Sequence, residues 1–245
     1  MVIKFVLLII DAYLLGSVPT AYLVAKWRRG IDIRQYGSGN VGASNVLTVV
    51  SKRWSIAVTV FDVGKGALAV LVAQQLLGLG AAQQATVGIA TIIGHNWPVF
   101  LRFQGGRGIF TSIGVITMLS PKLGLIALVF TSLFTPFRQL PLGVILVLII
   151  LPILSWFFGQ PLGIKEPLPI TLGFLAILLI ALFRRLSAPR SSISASVSTR
   201  ELIINRLLFD RDIRDRDAWI HQAPPEVSST EQPLGQPEEP GKGRL

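Results

Sequence analysis

The sequence predicts an all-α, polytopic membrane protein with about seven transmembrane helices. Three observations support this fold class. The chain of 245 residues has a mean hydropathy of +0.61, only 15% of its residues are charged, and residues 139–164 contain no charge at all. A soluble domain of this size carries more surface charge. An uncharged apolar stretch of that length is typical of a membrane-spanning helix.

Seven apolar segments are the candidate spans. The fourth and fifth are short for complete crossings, and two interpretations remain open for them: one long helix broken at Pro121, or a tight hairpin. The approximate bounds of the seven segments are residues 3–25, 53–77, 82–101, 108–120, 122–137, 142–158 and 168–183.

The distribution of basic residues predicts the orientation. With seven crossings, or with five if residues 108–137 fold differently, every basic cluster falls on one side of the bilayer, which the positive-inside rule assigns to the cytoplasm. The amino terminus is then outside and the carboxyl terminus cytoplasmic. The basic residues concerned are Lys26, Arg28, Arg29, Arg34, Lys52, Arg53, Arg102, Arg107, Arg138, Arg184, Arg185 and Arg190.

Composition also excludes several functions. The net charge of +10 is explained by cytoplasmic loops, so we predict no nucleic-acid partner. The absence of cysteine excludes disulfides and thiolate chemistry, and two histidines argue against a histidine-built metal cluster. We predict no cofactor. Four tryptophans lie near predicted span ends, which is typical of an interfacial belt: Trp27, Trp54, Trp97 and Trp156.

The stretch QYGSGNVGASNV, residues 35–46, has the composition of an anion-binding loop. Its glycines let backbone N–H groups turn toward a ligand, and its serine and asparagine side chains can donate hydrogen bonds. Taken alone, this stretch fits a plain flexible loop better. A second glycine loop, RFQGGRG at residues 102–108, is predicted on the same side, and its Arg107 suits a phosphate.

Asp62 and Lys65 lie inside an apolar segment, where charges are costly. Their spacing places both on one helical face. A structural ion pair and a role in substrate binding explain them equally well. His95, just before Pro98, is interpreted as a hydrogen-bonded residue at a helix end rather than as a general acid or base.

Three blocks of sequence resemble the bacterial PlsY family of membrane acyltransferases. They are GSVPTAYLVAKWRRGIDIRQYGSGNVGASNV, FDVGKGALAV and GHNWPVFLRFQGGRGIFTSIG, and they agree with the family in order, spacing and context. The resemblance implies transfer of an acyl chain from acyl phosphate to glycerol 3-phosphate, giving lysophosphatidic acid and phosphate as the first step of phospholipid synthesis. It also implies a bacterial inner (plasma) membrane, with the active face cytoplasmic and the bilayer as a partner.

The resemblance further implies which residues act. Ser38 corresponds to the essential serine of the family. The residues that correspond to substrate or phosphate binding are Gly37, Gly39, Asn40, Gly42, Asn45, Lys65, Gly105, Gly106, Arg107, Gly108 and Arg206. Arg206 comes from the stretch STRELIINRLLFDRD, which is the nearest match to the third family motif.

We also predict that the two glycine loops meet around one polar pocket open to the bilayer, with Lys65 near them and with Ser38 and Arg107 lining a common cavity, because the reaction has two phosphorylated reactants and one apolar chain. Alanine at Gly105 or Gly106 should then weaken glycerol 3-phosphate binding more than it unfolds the protein.

Several motif positions depart from the family. Thr48 stands where arginine is usual, Gln104 and Arg107 where lysine is usual, Arg200 where histidine is expected and Ile203 where asparagine is expected. A non-catalytic paralogue that binds a phosphorylated lipid or a partner is therefore the alternative. A small-molecule transporter is a weaker one, because no half-to-half repeat is evident.

Three regions are predicted. Residues 1–186 form the transmembrane acyltransferase-like domain. Residues 187–222 form a cytoplasmic linker and an amphipathic helix, whose apolar and basic residues recur at near-helical spacing: Leu202, Arg206, Phe209, Ile213 and Ile220. Residues 223–245 are rich in proline and glutamate and are predicted to be disordered.

Overall fold

Twelve α-helices and no β-strand occur in residues 2–221, the part of the chain that this computed structural model describes. The predicted disordered tail, residues 223–245, lies outside the described residues. A π-helical turn, Val72–Leu76, extends α4, and single 3-10 turns occur at Ile33–Gln35, Val99–Leu101 and Ser192–Ser194. The helices are α1 Val2–Ser17, α2 Thr20–Arg29, α3 Ala43–Val49, α4 Lys52–Leu71, α5 Ala81–Asn96, α6 Ile109–Leu119, α7 Pro121–Ser132, α8 Leu140–Phe157, α9 Gly159–Leu162, α10 Pro167–Leu186, α11 Thr199–Phe209 and α12 Arg216–Ile220.

Four helical stretches are long and apolar enough to cross a membrane: Val2–Arg29, Lys52–Leu76, Leu140–Phe157 and Pro167–Leu186. The helices α6 and α7 are apolar but have only 11 and 12 residues. A helix of that length rises about 16–18 Å, which is short of a hydrocarbon core of about 30 Å. The chain is therefore a multi-pass membrane protein, and the count of seven crossings stays a prediction.

Residues 108–137 form the hairpin that was one of the two interpretations. Helix α6 ends at Leu119, the extended residue Ser120 turns the chain, and α7 begins at Pro121. Proline is well suited to a first helical position because its missing N–H has no partner there. The two helices pack closely, since a methyl group at Gly124 would overlap Thr117.

The first predicted span is not one continuous helix. It is broken between α1 and α2, where Pro19 follows Val18. Proline has no N–H to donate and clashes with the preceding turn, so it interrupts the helical hydrogen-bond series. The carbonyl of Val18, at this break, accepts from the Thr20 amide at 3.1 Å and lies 3.4 Å from the Lys65 ammonium, so it has polar partners inside the apolar core.

Glycines allow the central helices to approach closely. A methyl group at Gly16 would overlap the backbone of Thr91, and one at Gly94 would overlap the backbone of Tyr13, so α1 and α5 are in backbone contact. Helices α4 and α6 meet in the same way through Gly66 and Gly114. Small residues at such contacts are typical of membrane proteins, where helix association depends on close packing.

The segment after α10 does not form the single amphipathic helix that was predicted. Helix α11 ends at Asp210, which adopts a left-handed backbone conformation with φ of 53°, and α12 begins only at Arg216. A left-handed residue is a common way to end a helix. Helix α11 packs against α8 and α10, and Leu202 is buried in that contact.

Candidate active site

The carboxyl-terminal ends of α2, α5 and α10 converge on one cleft with a volume of about 580 Å³. This volume is within the range of small-molecule sites. One wall is the loop after α2, a second is the loop after α5, and the third is the chain that follows α10. Ser38 and Arg107 both line the cleft, in agreement with the prediction that the two glycine loops share a cavity.

The first glycine loop is held from behind by Asn45 of α3, which is 2% exposed. Its Nδ2 donates to the carbonyls of Ile33 and Tyr36 at 3.2 and 2.9 Å, and its Oδ1 accepts from the Ser38 amide at 3.2 Å. Gly37 has a φ of 58°, a left-handed conformation that glycine adopts without strain. Asn45 therefore positions Ser38 and does not itself line the cleft.

The second glycine loop packs directly on the end of α5 and on the first loop. The Gly106 amide donates to the carbonyl of His95 at 3.1 Å. A methyl group at Gly105 would overlap that same carbonyl, and one at Gly106 would overlap the His95 ring and come within 2.5 Å of the Val41 carbonyl oxygen. The loops can touch only because these residues lack a Cβ atom.

Two arginines brace the second loop. Arg184, near the end of α10, donates from Nε to the Gly106 carbonyl at 3.0 Å and from Nη2 to the Gly105 carbonyl at 2.7 Å. Its guanidinium also lies over the ring of Trp97, 5.9 Å from the centroid. Arg107 donates to the Arg184 carbonyl at 2.8 Å, so α10 and the loop are tied together in both directions. Both arginines line the cleft and place positive charge there.

Lys65 lies behind the loop in a buried cluster. Its ammonium is 2.9 Å from Asp62 Oδ1 and 2.8 Å from His95 Nδ1, and its side chain is 1% exposed. The ammonium has only donors, so Nδ1 of His95 accepts and the ring carries its proton on Nε2, facing Gly106. Thr20 adds a longer hydrogen bond to Asp62, at 3.3 Å. Lys65 thus supports the glycine loop through His95.

A third arginine stands at the rim of the cleft. Arg34 forms a 2.6 Å ion pair with Asp32 and donates to Gln104 Oε1 at 3.2 Å. The hydrogen bond from Arg34 holds the pKa of Asp32 below its usual value, although burial opposes that shift. The carboxylate in turn raises the pKa of Arg34. Arg34 thus stays charged at one edge of the cleft, next to the neutral Gln104.

The structure divides the residues that the sequence predicts for the site into two groups. The group that lines the cleft comprises Gly37, Ser38, Gly39, Asn40, Gly105 and Arg107. The group that supports these loops from behind comprises Gly42, Asn45, Lys65, Gly106 and Gly108.

Arg206 belongs to neither group, and the expectation that it binds substrate is corrected. It is 5% exposed, and its guanidinium is bound to Asp212 and to the carbonyls of Leu186, Ala188 and Pro189. The third wall is formed by residues 187–191, directly after α10, together with Asp212 and Trp219.

Several residues that line the cleft were not predicted as site residues, among them Trp97, Arg184 and Arg190. Arg184 and Arg190 were read only as signals of orientation, and Trp97 only as part of an interfacial belt. All three line the cleft. Their places in the sequence could have identified these three residues, because each lies within a few residues of a helix end that faces the glycine loops.

The fold and the cleft define a class: a multi-pass membrane protein with a cationic, glycine-lined site where helix ends converge. The glycerol-3-phosphate acyltransferase family matches residues 6–191. Glycerol-3-phosphate acyltransferase 4 of Dehalococcoides mccartyi strain CBDB1 is 50% identical over 218 residues, which cover 89% of this chain and 94% of that protein. Glycerol-3-phosphate acyltransferase 5 of Dehalococcoides mccartyi strain 195 is 50% identical over 230 residues, covering 93% and 98%.

Two solved structures share the fold. A crystal structure of PlsY, an integral membrane glycerol 3-phosphate acyltransferase, in its glycerol 3-phosphate form superposes with a TM-score of 0.67 at 27% identity, covering 80% of this chain and all of that one. Its lysophosphatidic acid form gives 0.64 at 31%, covering 74% and 88%. The chain belongs to the glycerol-3-phosphate acyltransferase family.

Proposed function

We propose that this protein transfers an acyl chain from acyl phosphate to glycerol 3-phosphate, giving lysophosphatidic acid and inorganic phosphate. The observation that carries the proposal is the single cleft shared by Ser38, the second glycine loop and Arg107. It provides hydroxyl, backbone and guanidinium donors in one place, as two phosphorylated reactants require. The glycerol 3-phosphate and lysophosphatidic acid forms of the related structures support the same acceptor and product.

The reaction requires mainly that the glycerol hydroxyl is held next to the acyl carbon of acyl phosphate. The glycerol hydroxyl attacks the acyl carbon, the bond from that carbon to the phosphate oxygen breaks, and phosphate leaves with the electron pair and takes up the hydroxyl proton. Acyl phosphate is a mixed anhydride, so its leaving group is already good. Holding both reactants in contact can contribute about 7–11 kcal/mol. The proposed mechanism needs no protein nucleophile.

Ser38 and the arginines have separate roles in this mechanism. The Ser38 hydroxyl is half-buried in the cleft and accepts only a long hydrogen bond, 3.4 Å, from the Asn40 amide. Its own proton is thus available to the reacting acyl phosphate, where it stabilises the charge that develops. Arg107 and Arg184 supply the positive charge that holds phosphate groups.

The test is turnover by the purified protein. With acyl phosphate and glycerol 3-phosphate, we expect equal amounts of phosphate and lysophosphatidic acid, and loss of both in Ser38→Ala. A parallel reaction with acyl coenzyme A identifies the donor. Turnover with the coenzyme A ester alone would reject acyl phosphate as the donor, and no turnover with either donor would reject the function.

A binding protein without activity is the second candidate. It is favoured by Gln104, which brings no charge to the cleft where the family has lysine, and by the pairing of Arg107 with Asp210. It predicts that glycerol 3-phosphate binds to the purified protein and that neither donor supports turnover. Measured turnover above the Ser38→Ala background would exclude it.

The proposed topology has seven crossings of a bacterial inner membrane, with the cleft on the cytoplasmic side. The convergence of α2, α5 and α10 on the cleft and the basic loops support it. Because the chain has no cysteine, single cysteines test it with a membrane-impermeant thiol reagent on intact cells. We expect Ala82→Cys and Lys122→Cys to react and Arg102→Cys to be protected. Protection of Lys122→Cys alone would favour five crossings.

A further inference from the structure

The cations of the cleft differ in how far their charge is already used. Arg34 is paired with Asp32, and Arg107 is paired with Asp210. Arg184 has two of its nitrogens committed to carbonyls of the glycine loop. Arg190 also lines the cleft, yet no carboxylate of the described residues lies within 4 Å of it, and its side chain makes one hydrogen bond, to the Val197 carbonyl at 3.2 Å.

Arg190 sits in a segment that has no regular structure to hold it. Residues 187–191 follow the end of α10 and precede the 3-10 turn Ser192–Ser194. In such a loop the backbone N–H and C=O groups do not form the hydrogen bonds of a helix. Where these groups are buried, they need other hydrogen-bond partners. Those partners determine the direction in which the side chain of Arg190 extends.

One buried ion pair provides these partners. Arg206 donates to the carbonyls of Leu186 at 2.8 Å, Ala188 at 2.7 Å and Pro189 at 3.1 Å. Its Nε also donates to Asp212 Oδ1 at 2.7 Å. The planar guanidinium offers several donors in a fixed geometry, which a lysine ammonium does not reproduce.

Asp212 fixes the backbone on the carboxyl-terminal side of Arg190. Its Oδ2 accepts from the Ser191 amide at 2.9 Å, from the Ser191 hydroxyl at 3.1 Å and from the Ser194 hydroxyl at 3.0 Å. Asp212 and Arg206 are 2% and 5% exposed. The backbone is thus fixed immediately before Arg190 by the arginine and immediately after it by the aspartate.

We propose that Arg190 binds the phosphate of glycerol 3-phosphate, and that the Arg206–Asp212 pair is the positioning device that holds Arg190 at the cleft. The proposal rests on the proposed function for the identity of the anion. Arg206 and Asp212 lie beyond residue 191, where the family match ends.

A double-mutant cycle tests this proposal. We expect Arg190→Gln to raise the KM for glycerol 3-phosphate about tenfold, the loss typical of one charge-assisted hydrogen bond, with kcat changed less than about twofold. Asp212→Asn should raise the same KM to a similar degree. If Asp212 acts through Arg190, the double variant adds little, because coupled residues are not additive. Additive effects, or an unchanged KM in Arg190→Gln, would overturn the proposal.

Controls separate positioning from folding. Partial unfolding lowers kcat by reducing the active fraction and leaves KM unchanged, so a rise in KM is not explained by instability. Asp217→Asn is the matched control, since Asp217 is 62% exposed, belongs to the same segment and does not line the cleft. Arg206→Lys keeps the positive charge beside Asp212 but loses the several donors of the planar guanidinium, and it should also raise the KM for glycerol 3-phosphate. If Asp212→Asn does not fold, Arg206→Lys takes its place in the cycle.

Direct binding keeps this proposal distinct from the proposed function. Calorimetric titration of the wild-type protein and of Arg190→Gln with glycerol 3-phosphate, and separately with inorganic phosphate, measures the anion site without turnover. Weaker binding in Arg190→Gln supports the proposal even if no acyl transfer is found. Normal turnover in the wild type, with equal binding in both proteins, would leave the function standing and reject the role of Arg190.

Discussion

The guanidinium of Arg107 is held by a carboxylate at the end of α11, with Nε 2.8 Å from Asp210 Oδ1. Neither atom has a partner in hydrogen-bonding geometry, so the contact is an attraction between charges at a poor angle. Asp210 is also the left-handed residue that ends α11. A substrate phosphate that approaches Arg107 must compete with this carboxylate.

We therefore expect Asp210→Asn to strengthen phosphate binding. Removing the negative charge releases Arg107 and removes repulsion of the substrate. The two side chains are mostly buried, 14% and 18% exposed. Releasing roughly 1 kcal/mol of competing attraction would lower the KM for glycerol 3-phosphate about fivefold. Steady-state kinetics at fixed ionic strength measure the change, and Asp217→Asn should leave KM unaltered. A higher KM in Asp210→Asn would instead mean that the carboxylate orients Arg107 for the substrate.

The buried Asp62–Lys65 pair makes a prediction about stability. Lys65→Met leaves an unpaired carboxylate in the core and should cost about 3–5 kcal/mol. The double variant Asp62→Leu/Lys65→Met should recover most of that loss, because apolar replacement of a whole buried pair is often neutral. Thermal unfolding in detergent measures both. Lys122→Met, at an exposed position, serves as the control for the substitution itself.

The same double variant decides whether Lys65 contacts substrate. Since Lys65 reaches the glycine loop only through His95, a folded double variant should retain its KM for glycerol 3-phosphate within a few-fold. A folded protein with a KM raised more than about tenfold would show that the ammonium binds an anion directly, as the resemblance to the family implies.

Asn45 offers a test of loop positioning. In Asn45→Asp the shape is kept, but the carbonyls of Ile33 and Tyr36 lose their donor and face a carboxylate. Leaving buried acceptors unsatisfied costs about 1–3 kcal/mol each, so we expect roughly 2–4 kcal/mol of lost stability together with a lower kcat. Thr48→Ala, on the exposed face of the same helix, should change neither. Full stability with lost activity would place Asn45 in contact with the reactants.

The sequence predicted the elements whose evidence is local. The charge distribution placed the two glycine loops on one side of the bilayer, and the two phosphorylated reactants implied by the family resemblance predicted that the loops meet. The Asp62–Lys65 contact followed from helical spacing. The third wall could not be found in this way. Arg190 looks like an ordinary basic residue in the sequence, and Arg206 was assigned to the substrate through the family resemblance. Only the fold shows that Arg190 lines the cleft while Arg206 is buried against three carbonyls.

The glycine loop shows a second limit of sequence reasoning. Alanine at Gly105 or Gly106 was predicted to weaken glycerol 3-phosphate binding more than it unfolds the protein. In the structure each packs against backbone atoms, at His95 and at Val41. An alanine at either position would push the loop away from its support, so these substitutions should reduce stability as well as binding and are poor probes of the phosphate site.

The Arg206–Asp212 pair predicts how stability changes in acid. Burial by itself would raise the pKa of Asp212, but hydrogen bonds from Arg206, from the Ser191 amide and from Ser194 outweigh it and lower that pKa. A carboxyl with a depressed folded-state pKa stabilises the protein fully above its unfolded pKa, about 3.9. This stabilisation is lost as the pH falls through the folded value.

The difference in unfolding free energy between wild type and Asp212→Asn should therefore be largest near neutral pH and shrink below about pH 4. Comparing the two proteins at each pH cancels the titration of carboxyl groups that they share. Denaturant unfolding in detergent at several pH values measures the difference, with Asp217→Asn as an exposed control that stays close to wild type throughout. A difference that stays constant or widens on acidification would mean that the charge of Asp212 does not stabilise the third wall.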